Sequence, residues 1–138
     1  MDVQLLRSSF DQVRPIADDA AKIFYGNLLG TYPQVRPLFA NTDFDAQRKN
    51  LMQTLGAIVA TADKPDELTP LLRKLGHSHQ GYGVTPEMYA FVSASLLKTL
   101  ADALGDGWTA ELASTWVAAL DVVGGAMIAA QEEAASAA

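Results

Sequence analysis

No cysteine occurs among the 138 residues, which excludes a disulfide framework, a thiolate metal site and a catalytic thiol. A reducing cytoplasm is the setting expected for such a composition. Cations are scarce as well: 10 Lys and Arg stand against 16 Asp and Glu, a formal charge of -6. Nucleic acid and anionic membranes both require clustered Lys and Arg, so neither is an expected partner. The opening MDVQLLRSSFDQ lacks the basic flank and apolar run of a signal peptide. The apolar stretch VVGGAMIAA, 122–130, is too short to span a bilayer. Strand-like alternation of useful length and internal repeats are also missing. Histidine is scarce too: there are 2, and both lie in LRKLGHSHQGYGV.

What remains is helical. With 49% apolar and 19% charged residues, the chain reads as one all-α domain spanning 1–138, long enough to bury a core without staples. Residues 2–14 carry Val3, Leu6, Phe10 and Val13 on one stripe, and Pro15 ends or kinks this helix. A second helix over 16–31 aligns Ile16, Ala20, Ile23 or Phe24, Asn27 and Leu28. Pro33 and Pro37 bound a short turn, PQVRPLFA. Thr42 caps the third helix, with Asp45 as capping-box partner, and its stripe runs Phe44, Gln47 or Arg48, Leu51, Leu55, Ile58 and Val59. Pro65 opens a fourth helix, which GYGV breaks. Thr85 and Pro86 open a fifth, which Gly105 and Gly107 stop, and Thr109 starts the last, over 109–133.

His77 and His79 are separated by about 200° on a helix of 3.6 residues per turn, so they cannot grip one metal together. The stripe Leu68, Leu71 or Leu72, Leu75 continues to His79, which therefore faces inward, while His77 sits with Arg73 and Lys74 on the wet side. An inward imidazole needs a hydrogen-bond partner or a metal. Read from the residues alone, His79 is either a partnered core histidine or a ligand. GYG at 81–83 carries no dinucleotide loop, since no strand precedes it and a third glycine is missing.

The segments YPQVRPLF, AQRKNLMQTLG, LRKLGHSHQGYGV and PEMYAFVSASLL with LGDGWTAELASTW resemble the single-domain globins. The likeness is strongest to the bacterial branch related to the haem domain of flavohaemoglobins, and more distant to neuroglobin. It covers nearly the whole chain and implies a three-over-three helical sandwich enclosing haem b. By that resemblance His79 matches the proximal ligand to the haem iron, and Phe39, Leu51, Leu75, Val84 and Tyr89 match cofactor contacts. Tyr25, Gln47 and Leu51 match the distal, ligand-binding side. Behind the proximal histidine the family pairs a Tyr with a Glu. Tyr89 matches the first, but Gln131 stands at the Glu position with Glu132 beside it, and Leu120 replaces a Tyr of the last helix. A neutral Gln implies a weaker electronic push on the imidazole. The Leu75 carbonyl is the expected partner of His79, with Ser78 assisting.

Gln47 and Leu51 are four apart and share one helix face independently of any family. A phenol and an amide offer two donors to a bound, partly anionic dioxygen. His77, Arg48, Lys49 and Asn50 are candidates for the haem propionates. Gly124 and Gly125 imply a close approach to a neighbouring helix or to the haem edge, since glycine costs about 1 kcal/mol in a helix.

The resemblance implies a pentacoordinate haem globin that binds dioxygen, carbon monoxide and nitric oxide. The alternative is a nitric oxide dioxygenase served by a separate reductase, because no flavin or nicotinamide domain is expected in a chain of this length. A third reading is a haem-free helical interaction domain.

Overall fold

The computed structural model describes residues 2–137. Among them are six α-helices and no strand: α1 (Val3–Val13), α2 (Ala17–Thr31), α3 (Phe44–Ala60), α4 (Pro65–Gly81), α5 (Pro86–Leu104) and α6 (Ala110–Ala137). Short 3-10 turns fill Arg14–Ile16, Pro33–Phe39 and Gly105–Gly107. The helices stack as a three-over-three sandwich, with α4 on α6 and α2 on α5 as its most extensive pairings.

The helices start and stop where their ends find partners. Asp2 caps α1, its Oδ1 accepting from the Leu5 N–H at 3.1 Å. Asp43, not Thr42, caps α3. Its Oδ1 accepts from Asp45 N–H at 3.1 Å and Ala46 N–H at 3.4 Å, while Asp45 turns to Arg48 instead of closing a capping box. An Asp at the N-cap satisfies two of the orphan amides and complements the helix dipole, which Thr42 does less well. Thr85 occupies the N-cap of α5 without a side-chain bond, and Gly105, at φ 52°, closes that helix where a Cβ would be strained. The Thr109 hydroxyl caps α6 through Leu112 N–H at 3.1 Å. That helix continues to Ala137, past the expected end at 133.

Leu6, Phe10 and Val13 of α1 are buried as the stripe requires. On α2 the inward residues are Ala20, Phe24 and Leu28, whereas Ile16 and Ile23 remain at 41% and 42% exposure, so the 100° step favours Phe24 over Ile23. These side chains join Leu96, Leu100, Leu112 and Trp116 in the main core. The Trp116 indole N–H donates to the Ser9 hydroxyl at 3.0 Å, and that hydroxyl donates to the Leu5 carbonyl at 2.7 Å. No polar atom of this buried indole is therefore left dry. A second, smaller core joins Leu68 and Leu72 of α4 to Met127 of α6.

Ala110–Ser136 is long and apolar enough to cross a membrane by length and composition; the run 122–130 is only its middle. In the fold this helix turns Leu112, Trp116, Ala119, Met127 and Ala130 inward and packs on α1, α4 and α5.

The α4–α6 contact is the most extensive in the molecule. Its close point is Gly76, where an added Cβ would lie 2.5 Å from the Met127 carbonyl oxygen and 2.8 Å from Ala130 Cβ. Gly124 and Gly125 meet nothing within 4 Å, so the expected close approach belongs to Gly76 instead. The glycine pair is visible as a run in sequence, but only the register of the two helices decides which glycine is needed. By contrast, α3 and α4 are not among the helix pairs that pack substantially. The candidate site residues fall on two groups of elements, α2 with α3, and α4 with the start of α5.

A candidate two-walled site between α3 and α4

One wall is built on α2 and α3. Tyr25 is only 6% exposed, and its ring meets those of Phe24, Phe39 and Phe44 edge-on, with centroids at 4.9, 5.8 and 5.5 Å. Phe39 and Phe44 stack at 5.9 Å. Gln47, one turn into α3, donates from Nε2 to the Tyr25 oxygen at 3.0 Å. Because the amide fills an acceptor site of the phenol, the Tyr25 proton remains free to be donated elsewhere. Burial raises the Tyr25 pKa above its usual 10.0, with the Gln47 bond opposing the rise, so the group is a neutral donor through the physiological range. The two expected donors are thus bonded to each other, Gln47 to Tyr25. Leu51 lies one further turn along α3, half-buried against the main core. Most of the α3 stripe, Phe44, Leu51, Leu55 and Ile58, is only half-covered, although Val59 is fully buried. These side chains pack in part against the protein's own cores.

The other wall is built on the end of α4, the turn after it and the start of α5. His79 is half-buried and His77 exposed, as the helix periodicity requires. The Nδ1 of His79 lies 2.6 Å from the Leu75 carbonyl oxygen. A carbonyl can only accept, so Nδ1 carries the proton, and in the neutral ring the lone pair then lies on Nε2. Ser78 takes no part, its hydroxyl donating to the Lys74 carbonyl at 3.1 Å. Leu75 itself packs on the smaller core. The Val84 N–H donates to the His79 carbonyl at 3.1 Å, and Gly83, at φ 79°, supplies the left-handed residue that lets this turn close. The ring of Tyr89 stacks on that of His79, centroids 6.0 Å apart and planes 30° off parallel. Tyr89 donates to Gln131 Oε1 at 2.7 Å, and burial raises its pKa above the usual 10.0.

The structure therefore brings Tyr25, Gln47 and Phe39 together on one wall, and His79, Leu75, Val84 and Tyr89 on the other. Arg48 is engaged elsewhere: it pairs with Asp18 at 3.0 Å and with Asp45, and the guanidinium holds the Asp18 carboxyl below the usual carboxylate range. Lys49, Asn50 and His77 are exposed. Two residues of the walls escape sequence reasoning about the site. Phe44 is legible only as a stripe member, although its spacing of three from Gln47 places both on one face. Tyr82 is 72% exposed yet its ring centre lies 6.5 Å from that of His79.

A three-over-three helical sandwich with a carbonyl-anchored imidazole at the end of α4 and a buried phenol on α2 sets the class of protein. The family model described as Globin matches residues 22–127, and the chain belongs to the globin family. It is 26% identical over 128 residues to a flavohemoprotein of Bacillus subtilis, covering 91% of this chain and 32% of that protein. A flavohemoprotein of Pseudomonas aeruginosa is 34% identical over 112 residues, covering 79% of this chain and 28% of the relative. The chain thus spans about a third of the length of the curated relatives it matches. Among solved structures, a bacterial globin of Campylobacter jejuni superposes with a TM-score of 0.82 at 20% identity over 95% of this chain and 94% of that one. An engineered carbene transferase, made from a candidate nitric oxide dioxygenase of Rhodothermus marinus, superposes with 0.87 at 24% identity over 98% and 94%. Haem fits the residues present: an imidazole anchored through Nδ1, whose Nε2 makes no hydrogen bond among the described residues, and partly exposed apolar side chains on α3.

Proposed function

We propose that this globin binds haem b through Nε2 of His79 and holds a small diatomic gas, dioxygen first and carbon monoxide or nitric oxide also, beside Tyr25. The observation that carries this reading is the bond from His79 Nδ1 to the Leu75 carbonyl, which fixes the tautomer and aims the opposite nitrogen as a ligand. When bound, the haem iron supplies an open coordination position for the gas. The remaining work belongs to the chain. Leu75, Val84, Phe39 and Leu51 supply apolar surface that excludes water from the site. Tyr89 stacks on the imidazole and limits its rotation. Tyr25 offers its proton to the ligand, and Gln47, donating into the phenol oxygen, keeps the hydroxyl turned away from itself and polarised. In a water-poor pocket such a bond to a partly anionic ligand contributes about 1.5–3 kcal/mol. The lack of cysteine supports a cytoplasmic setting.

The second reading, nitric oxide dioxygenation with electrons from a separate reductase, is favoured by the 26% and 34% identity to flavohemoproteins and by the Rhodothermus marinus neighbour. Stopped-flow dissociation of dioxygen from the reduced, haem-loaded chain tests the distal assignment. Tyr25→Phe speeds release by about tenfold or more, since 1.4 kcal/mol is a factor of ten. An unchanged rate would remove Tyr25 from the pocket. Nitrate formation from nitric oxide under a chemical reductant separates the two readings: turnover supports the dioxygenase, and its absence leaves the binder.

A further inference from the structure

We infer that Gln131, near the end of α6, is a positioning residue for His79, tying the proximal wall to the last helix through a bridge that needs a donor and an acceptor on one side chain. The inference rests on the haem reading for its consequence but not for its geometry.

Gln131 makes two bonds. Its Oε1 accepts from the Tyr89 hydroxyl at 2.7 Å, and its Nε2 donates to the Val84 carbonyl. The assignment of the two amide ends follows from chemistry, because a main-chain carbonyl can only accept. Each partner in turn touches His79: Tyr89 by ring stacking at 6.0 Å, and Val84 by its N–H to the His79 carbonyl at 3.1 Å. One side chain therefore braces both the imidazole's neighbour and the turn that follows it. The register that delivers Gln131 is set on either side. Gly76 lets the backbone of α4 close on Met127 and Ala130, and Arg73 pairs with Glu133 at 2.7 Å. A glutamate at 131 would keep the acceptor for Tyr89 but has no proton for Val84. The position suits a neutral amide, and among the described residues the acceptor at the His79 ring is the neutral Leu75 carbonyl.

The test compares the full haem-loaded chain with Gln131→Leu, Gln131→Glu and Tyr89→Phe, reading amide hydrogen exchange and the iron–histidine stretching band of the reduced form. Exchange at Gly83 and Val84 should speed about tenfold in both Gln131 variants, as expected for a turn that loses one tie, with α1 to α3 unchanged. The iron–histidine band should shift or broaden in the same two. Should Gln131→Leu fail to fold, Gln131→Glu and Tyr89→Phe each remove one of the two bonds and carry the comparison. Wild-type exchange at Gly83 and Val84 in the variants, or a uniform acceleration in every helix, would overturn the inference. A wild-type chain that takes up no haem would sink the haem reading alone, since the exchange comparison runs equally on the haem-free chain.

Discussion

The two walls of the site are built by opposite means. On the α2–α3 wall the polar groups bond to each other: Gln47 donates to Tyr25, and a ring of aromatic edges buries the phenol in the main core. On the α4–α5 wall the polar groups bond largely to main chain, His79 to the Leu75 carbonyl and Gln131 to the Val84 carbonyl, beside a much smaller core. A side-chain pair can swap partners when a ligand arrives, because neither member is tied to a helix. A ring anchored to a carbonyl of its own helix cannot turn without losing that bond. Under the proposed function, this difference makes the α2–α3 wall the responsive one and the α4–α5 wall the fixed one.

The comparison breaks most severely at Gly76, because the fixed wall depends on how closely α4 and α6 approach. Gly76→Ala places a Cβ against a backbone oxygen and should destabilise the chain by about 1–3 kcal/mol in denaturant unfolding. Gly124→Ala, whose Cβ meets open space, should instead stabilise by up to about 1 kcal/mol. Equal effects at the two glycines would show that the α4–α6 register is not tight. A milder lesion sharpens the responsive wall. Gln47→Leu leaves the Tyr25 proton in place but removes its orienting partner, so dioxygen release should quicken severalfold, less than in Tyr25→Phe, since a neutral hydrogen bond contributes about 1 kcal/mol. If the Gln47 variant released gas faster than the Tyr25 variant, the order of the two donors would be reversed.

The smallest expected effect concerns pH. The Tyr25 pKa is raised on folding, above the usual 10.0, so the folded chain holds that proton more tightly than the unfolded chain does. The resulting stability is fully present below about pH 10 and is lost as pH rises through the folded value. Unfolding midpoints of the wild type and Tyr25→Phe, followed from pH 7 to 11, should therefore run parallel until about pH 10 and converge above it. Curves parallel throughout would mean that the phenol is not desolvated.

Much of this architecture is legible in the residues. The 3.6-residue period places Leu6, Phe10, Leu28 and one of Leu71 and Leu72 inside and turns His79, not His77, inward. The chemistry of His79 was not decidable from that period, because a core histidine and a ligand share the same face. The resemblance supplied the ligand reading, and the Leu75 bond supplies its physical support. What escaped was set by three-dimensional register. Asp43 displaced Thr42 as the cap of α3, Gly76 and not Gly124 marks the close helix crossing, and Gln47 points into the Tyr25 oxygen. Each outcome depends on which atom of a distant helix lies opposite, and no local pattern encodes that distance.

The most direct test of the central claim is the absorption spectrum of the haem-reconstituted chain beside that of His79→Ala, in ferric, reduced and carbon monoxide forms. The account predicts a Soret band in the wild type that moves on reduction and again with carbon monoxide, and its loss or collapse to a free-haem spectrum in the variant. An identical, carbon monoxide-responsive Soret band in both proteins would contradict His79 as the ligand and, with it, the assignment of the two walls.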